Sequence, residues 1–143
     1  MIKNTRMIRF KEHTGLQGNL IAIESGADIP FEIKRVYYIT GVPGNITRGY
    51  HSHRKLEQIL LCLNGSVKIR VKTPVEEEII QLNRPDLGLM IGHMVWREMF
   101  AFSPGCVLLV LASEYYTESD YIRSYKEYEL EAENYFSKGE SLK

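Results

Sequence analysis

Up to Ala112 the chain is a succession of short apolar or β-rich runs broken by turn residues. The runs fall at 19–23, 34–39, 58–63, 66–71, 77–81, 88–91, 95–100 and 106–112. Between them sit GVPGN (41–45), LNG (63–65), LNRPDLG (82–88) and SPG (103–105). Runs of this length with Gly, Pro, Asn and Asp between them predict strands. Ser66–Val71 alternates as V-K-I-R-V, which gives one apolar and one wet face. Asn64-Gly65 between two apolar runs predicts a tight hairpin. So many short strands in one chain predict an all-β sandwich or a closed barrel with a ligand cavity.

The tail changes character. ESDYIRSYKEYELEAENYF (118–136) is charged, with Tyr121, Ile122, Tyr125 and Tyr128 at helical spacing and Ser119 or Asp120 as a cap. The aromatic stripe is expected to pack on the barrel or a second subunit rather than stack on a ligand. SKGESLK (137–143) reads as a frayed end. The expectation is one domain over 1–143, with a barrel over about 18–115 and a helical tail over about 118–136.

Charge and cysteine usage narrow the function. Lys+Arg and Asp+Glu are 18 each, so the net charge is zero. A dedicated nucleic-acid binder carries a basic excess, so that class is set aside. MIKNTRMIRFKEH at the start lacks an apolar signal core, and no run is long enough to span a bilayer. Cys62 and Cys106 each sit inside an apolar run and read as buried free thiols. Together these predict a cytoplasmic protein without membrane or nucleic-acid partners.

The candidate chemistry lies in RGYHSHRKLEQILLCLNG (48–65). His51 and His53 are two apart, so on a strand both project to one face. Gln58 follows after a short loop and begins the next apolar run. The spacing H-x-H-x4-Q-x6-G resembles the first metal motif of the cupin superfamily, in which a glutamate commonly stands where Gln58 does. GLMIGHMVWREM (88–99) resembles the second motif, with Arg97 at the fourth ligand position. A carboxamide is a weak ligand, and a protonated guanidinium repels a cation. No metal or other cofactor is expected. His93 could offer a nitrogen, but it falls in the turn.

Without a metal, two imidazoles on one face suit proton transfer near neutral pH. Arg97 would favour an anion or a developing oxyanion. R-V-Y-Y-I (35–39) places Arg35 and Tyr37 on one face and Val36 and Tyr38 on the other. Periodicity alone does not say which tyrosine faces in. Arg48 precedes the histidine pair and reads either as a phosphate-reaching cation or as a surface arginine at a strand entry. Arg54, Lys55 and Arg123 read as surface cations.

R-V-Y-Y-I, R-G-Y-H-S-H, K-L-E-Q, C-L-N-G-S, V-W-R-E-M and L-A-S-E-Y-Y-T-E-S-D-Y-I-R together resemble the sugar 3,4-ketoisomerase family over about 18–125. The resemblance implies a cupin (jelly-roll, RmlC-like) barrel with a short C-terminal helix, a homodimer with intertwined N-terminal strands, and no metal. It implies the substrate dTDP-4-keto-6-deoxy-D-glucose and a product with the keto group at C3, on a route to 3-amino-3,6-dideoxyhexoses of surface glycans such as O-antigen lipopolysaccharide. It carries catalytic roles onto His51, His53 and Tyr37, and a place in the sugar pocket onto Arg97. Arg35, Arg48, Gln58 and Arg97 are the expected substrate-binding residues. A 3,5-epimerase of a nucleotide-linked 4-keto sugar, a non-catalytic sugar-nucleotide-binding cupin and a metal-dependent cupin remain as alternatives.

Overall fold

The computed structural model describes residues 1–139. Among these residues twelve strands and one α-helix are formed, all strand pairs being antiparallel. They are β1 (Thr5–Arg9), β2 (Glu12–Gly15), β3 (Gly18–Ile21), β4 (Arg35–Ile39), β5 (Arg48–His53), β6 (Gln58–Asn64), β7 (Val67–Lys72), β8 (Glu77–Leu82), β9 (Leu87–Ile91), β10 (Trp96–Phe100), β11 (Val107–Ala112) and β12 (Tyr121–Ile122), followed by α1 (Tyr125–Ser137). One five-stranded sheet runs β1-β9-β6-β11-β4, and the other runs β12-β5-β10-β7-β8. They face each other as the jelly-roll barrel that the strand count anticipates.

Period-2 alternation sorts the side chains into layers. Leu60 and Cys62 of β6, Ile69 and Val71 of β7, Met99 of β10 and Val110 of β11 meet between the sheets. Ile59 and Leu61 point the other way and pack with Phe10, Ile29 and Phe31 on the outer face of the first sheet. The second sheet has its own cover, in which Trp96 packs with Ile122, Tyr128 and Ala132 of the C-terminal segment. Covering both faces explains why β6 reads as a continuous apolar run rather than an alternating one. Cys62 and Cys106 are free and buried in the central core, with sulfurs 3.8 Å apart.

Several expectations need correction. The barrel begins before residue 18, because β1 pairs with β9 from Thr5↔Ile91 to Arg9↔Leu87. T-R-M-I-R carries no alternation because Met7 and Ile8 pack into different cores. Asn64-Gly65 is not a hairpin: β6 and β7 lie in different sheets. The turn instead crosses a corner, strapped by Asn64 Nδ2 to Gly105 O at 2.8 Å and Ser66 N to Ser103 Oγ at 2.8 Å. A Cβ on Gly65 would sit 2.3 Å from Ser103 Oγ, so packing as well as its positive φ demands glycine there.

The tail differs most. Glu118–Asp120 is a single 3-10 turn, Tyr121–Ile122 pairs with β5, and the helix starts only at Tyr125. Its cap is Ser124, which accepts from Glu127 N, rather than Ser119 or Asp120. The helical spacing of Tyr121 and Ile122 was coincidental, since edge pairing with Ser52 and His53 draws them into the sheet. Tyr128 then fastens the helix, donating toward Met94 O at 2.8 Å and Lys72 O at 2.9 Å.

Candidate active site

The inward positions of four strands converge at one end of the barrel. β4 turns Arg35, Tyr37 and Ile39 inward and leaves Val36 and Tyr38 exposed, which selects Tyr37 as the pocket tyrosine. On β5 a bulge opposite Arg97/Glu98 forces Tyr50 to φ 55° and Gly49 to φ 98°. A Cβ on Gly49 would lie 2.9 Å from Arg97 O. Glycine there lets β5 and β10 approach closely enough to set His51 opposite Arg97.

The result is a cavity of about 390 Å³ whose wall includes Arg35, Tyr37, Arg48, His51, Tyr121 and Arg123. The His51 and His53 rings meet edge to face, with centroids 4.8 Å apart and planes at 86°. Tyr121 leans on both, at 5.0 Å from His51 and 4.2 Å from His53. Arg35 lies over Tyr37 at 5.3 Å and over Tyr116 at 5.6 Å. Arg123 lies over Tyr121 at 4.2 Å and pairs with Glu118 at 2.8 Å.

Burial and charge set the protonation states. Desolvation, then the positive charge of Arg97 and the neighbouring His53, push His51 down to about 3. His53 falls to about 4, mainly by desolvation, with Asp120 opposing. Both rings are therefore neutral at physiological pH, and His51 presents a free base to the cavity. Tyr37 is raised, chiefly by burial, so it stays a phenol and can donate. Burial lowers Arg97 to about 10, still a cation at neutral pH.

Gln58 and Arg97 are almost fully buried, 3% and 1% exposed, with Arg97 opposite His51 in the β5–β10 register. Arg97 gives its recorded hydrogen bonds to neutral oxygens, Gln58 Oε1 at 2.7 Å and Val95 O at 2.9 and 3.2 Å. The donor set also fits a metal poorly. The one carboxamide oxygen is turned to Arg97, and a buried guanidinium sits across from the imidazoles. His93, in the turn, approaches Glu57 at 3.7 Å.

Asp120, Tyr121 and Arg123 join the site, although local spacing assigns the first two to a helical tail and the third to the surface. Asp120 Oδ2 meets His53 Nδ1 at 3.2 Å, while Asp120 also accepts from Lys55 N and Leu56 N at 2.8 and 3.2 Å. Burial would raise its carboxyl, but these donors more than offset that and hold it below the ordinary range. The only sequence clue was that S-D-Y-I-R fell within the segments carrying the family resemblance.

This geometry can be compared with known proteins. The family described as "FdtA: WxcM-like, C-terminal" matches residues 3–133. The chain is 49% identical over 120 residues to the TDP-4-oxo-6-deoxy-alpha-D-glucose-3,4-oxoisomerase of Aneurinibacillus thermoaerophilus, covering 84% of this chain and 86% of that one. The chain belongs to the FdtA-like sugar 3,4-ketoisomerases. As a member it is an isomerase of the intramolecular oxidoreductase type. The crystal structure of QdtA, a sugar 3,4-ketoisomerase from Thermoanaerobacterium thermosaccharolyticum in complex with TDP, superposes with a TM-score of 0.94 at 62% identity, over 95% of this chain and 99% of that one. A histidine-to-asparagine mutant of QdtA was crystallised with TDP-4-keto-6-deoxyglucose. The rmlC epimerase of Mycobacterium tuberculosis shares only the fold, with a TM-score of 0.69 at 15% identity over 82% of this chain and 67% of that one. Among the described residues no helix is long and apolar enough to cross a membrane.

Proposed function

We propose that this chain converts dTDP-4-keto-6-deoxy-D-glucose into a dTDP-3-keto-6-deoxyhexose without a metal, with His51 carrying the proton. The observation that bears the most weight is the buried, neutral His51 ring facing a cavity that also holds a protonated tyrosine and several cations. The C3 proton of a 4-keto sugar is acidic because the adjacent carbonyl accepts the electron pair. His51 removes it, and the C3–H electrons form the C3–C4 double bond of an enediol(ate). Tyr37 donates to the developing oxyanion. His51 then returns a proton at C4, O4 gains a proton, the C3 hydroxyl loses its own, and the ketone stands at C3. His53 orients His51 or relays the proton. Arg35 and Arg48 attract the diphosphate.

Such a ketone suits an aminotransferase making 3-amino-3,6-dideoxyhexoses for surface glycans in the cytoplasm. The enzyme acts as a homodimer in this reading. The test is NMR of dTDP-4-keto-6-deoxyglucose with the protein in deuterated water. A new 3-keto product with label at C3 or C4 is expected, and its C4 configuration assigns the gluco or galacto branch. Exchange at C5 would instead indicate a 3,5-epimerase, and an unchanged spectrum over hours a binding protein. His51→Asn is expected to lose turnover while keeping TDP affinity, and unimpaired turnover would remove His51 as the base.

A further inference from the structure

Gln58 and Arg97 form a chain that ends on the pocket tyrosine. Arg97 Nη1 donates to Gln58 Oε1 at 2.7 Å, and Gln58 Nε2 donates to Tyr37 Oη at 2.9 Å. The direction of this chain follows from chemistry. A guanidinium has donors and no acceptor, so the amide oxygen must face Arg97. The amide NH₂ is then committed to Tyr37, and the phenol oxygen is committed to accepting. The phenol hydrogen cannot point back toward Gln58, so it is left for a partner elsewhere. Tyr37 lines the cavity, whereas Gln58 and Arg97 are almost fully buried.

We propose that Gln58 and Arg97 are positioning residues that fix the Tyr37 hydroxyl as a hydrogen-bond donor into the cavity. This deepens the isomerase reading and rests on it for its kinetic consequence. A tyrosine free to rotate would spend part of its time donating to the protein and accepting from the substrate. The wrong orientation would set a lone pair against the oxyanion formed during enolisation. The relay removes that orientation. Donation from Gln58, itself polarised by Arg97, also makes the phenol a stronger donor. Buried Arg97 would otherwise be a costly feature of this core, and its two bonds to Val95 O hold the guanidinium plane so that Nη1 faces the amide.

The polarity can be reversed without changing shape. Gln58→Glu puts a carboxylate between Arg97 and Tyr37, which accepts from both and draws the phenol hydrogen away from the cavity. Retaining the Arg97 pair should keep the variant folded and TDP affinity unchanged. The expected result is a fall in kcat of at least tenfold with little change in KM. In a Tyr37→Phe background, Gln58→Glu should cost nothing more, because its effect passes through the hydroxyl. Equal costs in the two backgrounds, or wild-type kcat in a folded, TDP-binding Gln58→Glu enzyme, would overturn the relay. A readout independent of turnover is the 13Cζ resonance of Tyr37, assigned by its loss in Tyr37→Phe. Its titration should move upward by at least one pH unit in Gln58→Glu, and an unmoved titration would also overturn the relay. If the wild-type protein leaves the keto sugar unchanged, the isomerase reading fails, while the Tyr37 titration still decides the hydrogen-bond chain.

Discussion

Asp120 Oδ2 lies 3.2 Å from Nδ1 of His53, and that contact fixes the tautomer of the ring. An ionised carboxylate only accepts, so Nδ1 carries the hydrogen and Nε2 is left with a lone pair. His53 Nε2 is buried and has no hydrogen-bond partner among the described residues. A bare, buried nitrogen edge-on to a second imidazole is an arrangement for receiving a proton or holding a neighbour's ring. It adds nothing to packing that a phenylalanine would not.

Replacing Asp120 with Asn tests this pairing. The amide can offer either an oxygen or an NH₂ to His53, so the tautomer is no longer imposed. Turnover should fall by about tenfold to a hundredfold, within the usual range for a general-base system. TDP affinity should be unchanged. Long-range 1H–15N spectra should show His53 in the Nδ1–H form in the wild type and as a mixture in Asp120→Asn. Retention of a single Nδ1–H form with full turnover would show that the carboxylate is not needed.

The same histidines make folding sensitive to acid. In the unfolded chain each protonates near the ordinary value of about 6.5, whereas in the fold His53 does so at about 4 and His51 at about 3. Below pH 6.5 the unfolded state therefore binds more protons. Stability is fully present above that pH and is lost as pH falls toward 4 for His53 and 3 for His51. Two such groups give a slope that approaches about 2.7 kcal/mol per pH unit between about pH 5.5 and 4.5, by proton linkage. Urea unfolding from pH 7 to 4.5 measures it. His51→Asn should cut the slope by about half, and an unchanged slope would mean that the ring is not buried neutral.

Why some of this was readable in the sequence and some was not can be traced to individual residues. His51, His53, Gln58 and Arg97 sit on strands, and period-2 alternation plus a metal motif with two replaced ligands groups them, whereas choosing Tyr37 over Tyr38 takes the structure. Their partners are non-local. Asp120 reaches His53 across 67 positions, from a 3-10 turn whose local spacing mimics a helix start. Asn64-Gly65 failed as a hairpin for a related reason: its hydrogen bonds go to the 103–105 loop, which the local pattern does not reveal. The partners of Arg97, Gln58 Oε1 and Val95 O, likewise emerge only from the packing.

Arg123 and Glu118 offer a test of how charge at the mouth of the cavity is balanced. Their ion pair is exposed and adds little to stability. Arg123 nevertheless lines the cavity, and Glu118 neutralises it there. Glu118→Gln should raise TDP affinity by about threefold at low salt, and the gain should shrink as added salt screens the cation. Arg123→Ala should lower it. Calorimetric titration with TDP at two ionic strengths reads both effects, and indifference of affinity to both substitutions would show that Arg123 takes no part in binding the diphosphate.

The strongest test of the site's derivation is to restore what the sequence replaced. His51 stands opposite Arg97 in the β5–β10 register, and Arg97 touches Gln58 at 2.7 Å, so the four positions of the cupin metal motif remain together. Arg97 supplies a buried cation there, and Gln58 offers no charge to offset an incoming metal. The double variant Gln58→Glu/Arg97→His converts the set to three imidazoles and a carboxylate, a donor set suited to zinc or manganese. It is expected to bind one zinc ion per chain in elemental analysis after loading and dialysis, and to lose isomerase turnover. Gln58→Glu alone should bind none, because Arg97 neutralises the new carboxylate. Stoichiometric metal in the wild-type protein would refute the argument from its donors. A folded double variant that stays metal-free would mean that these four positions do not converge as a ligand set.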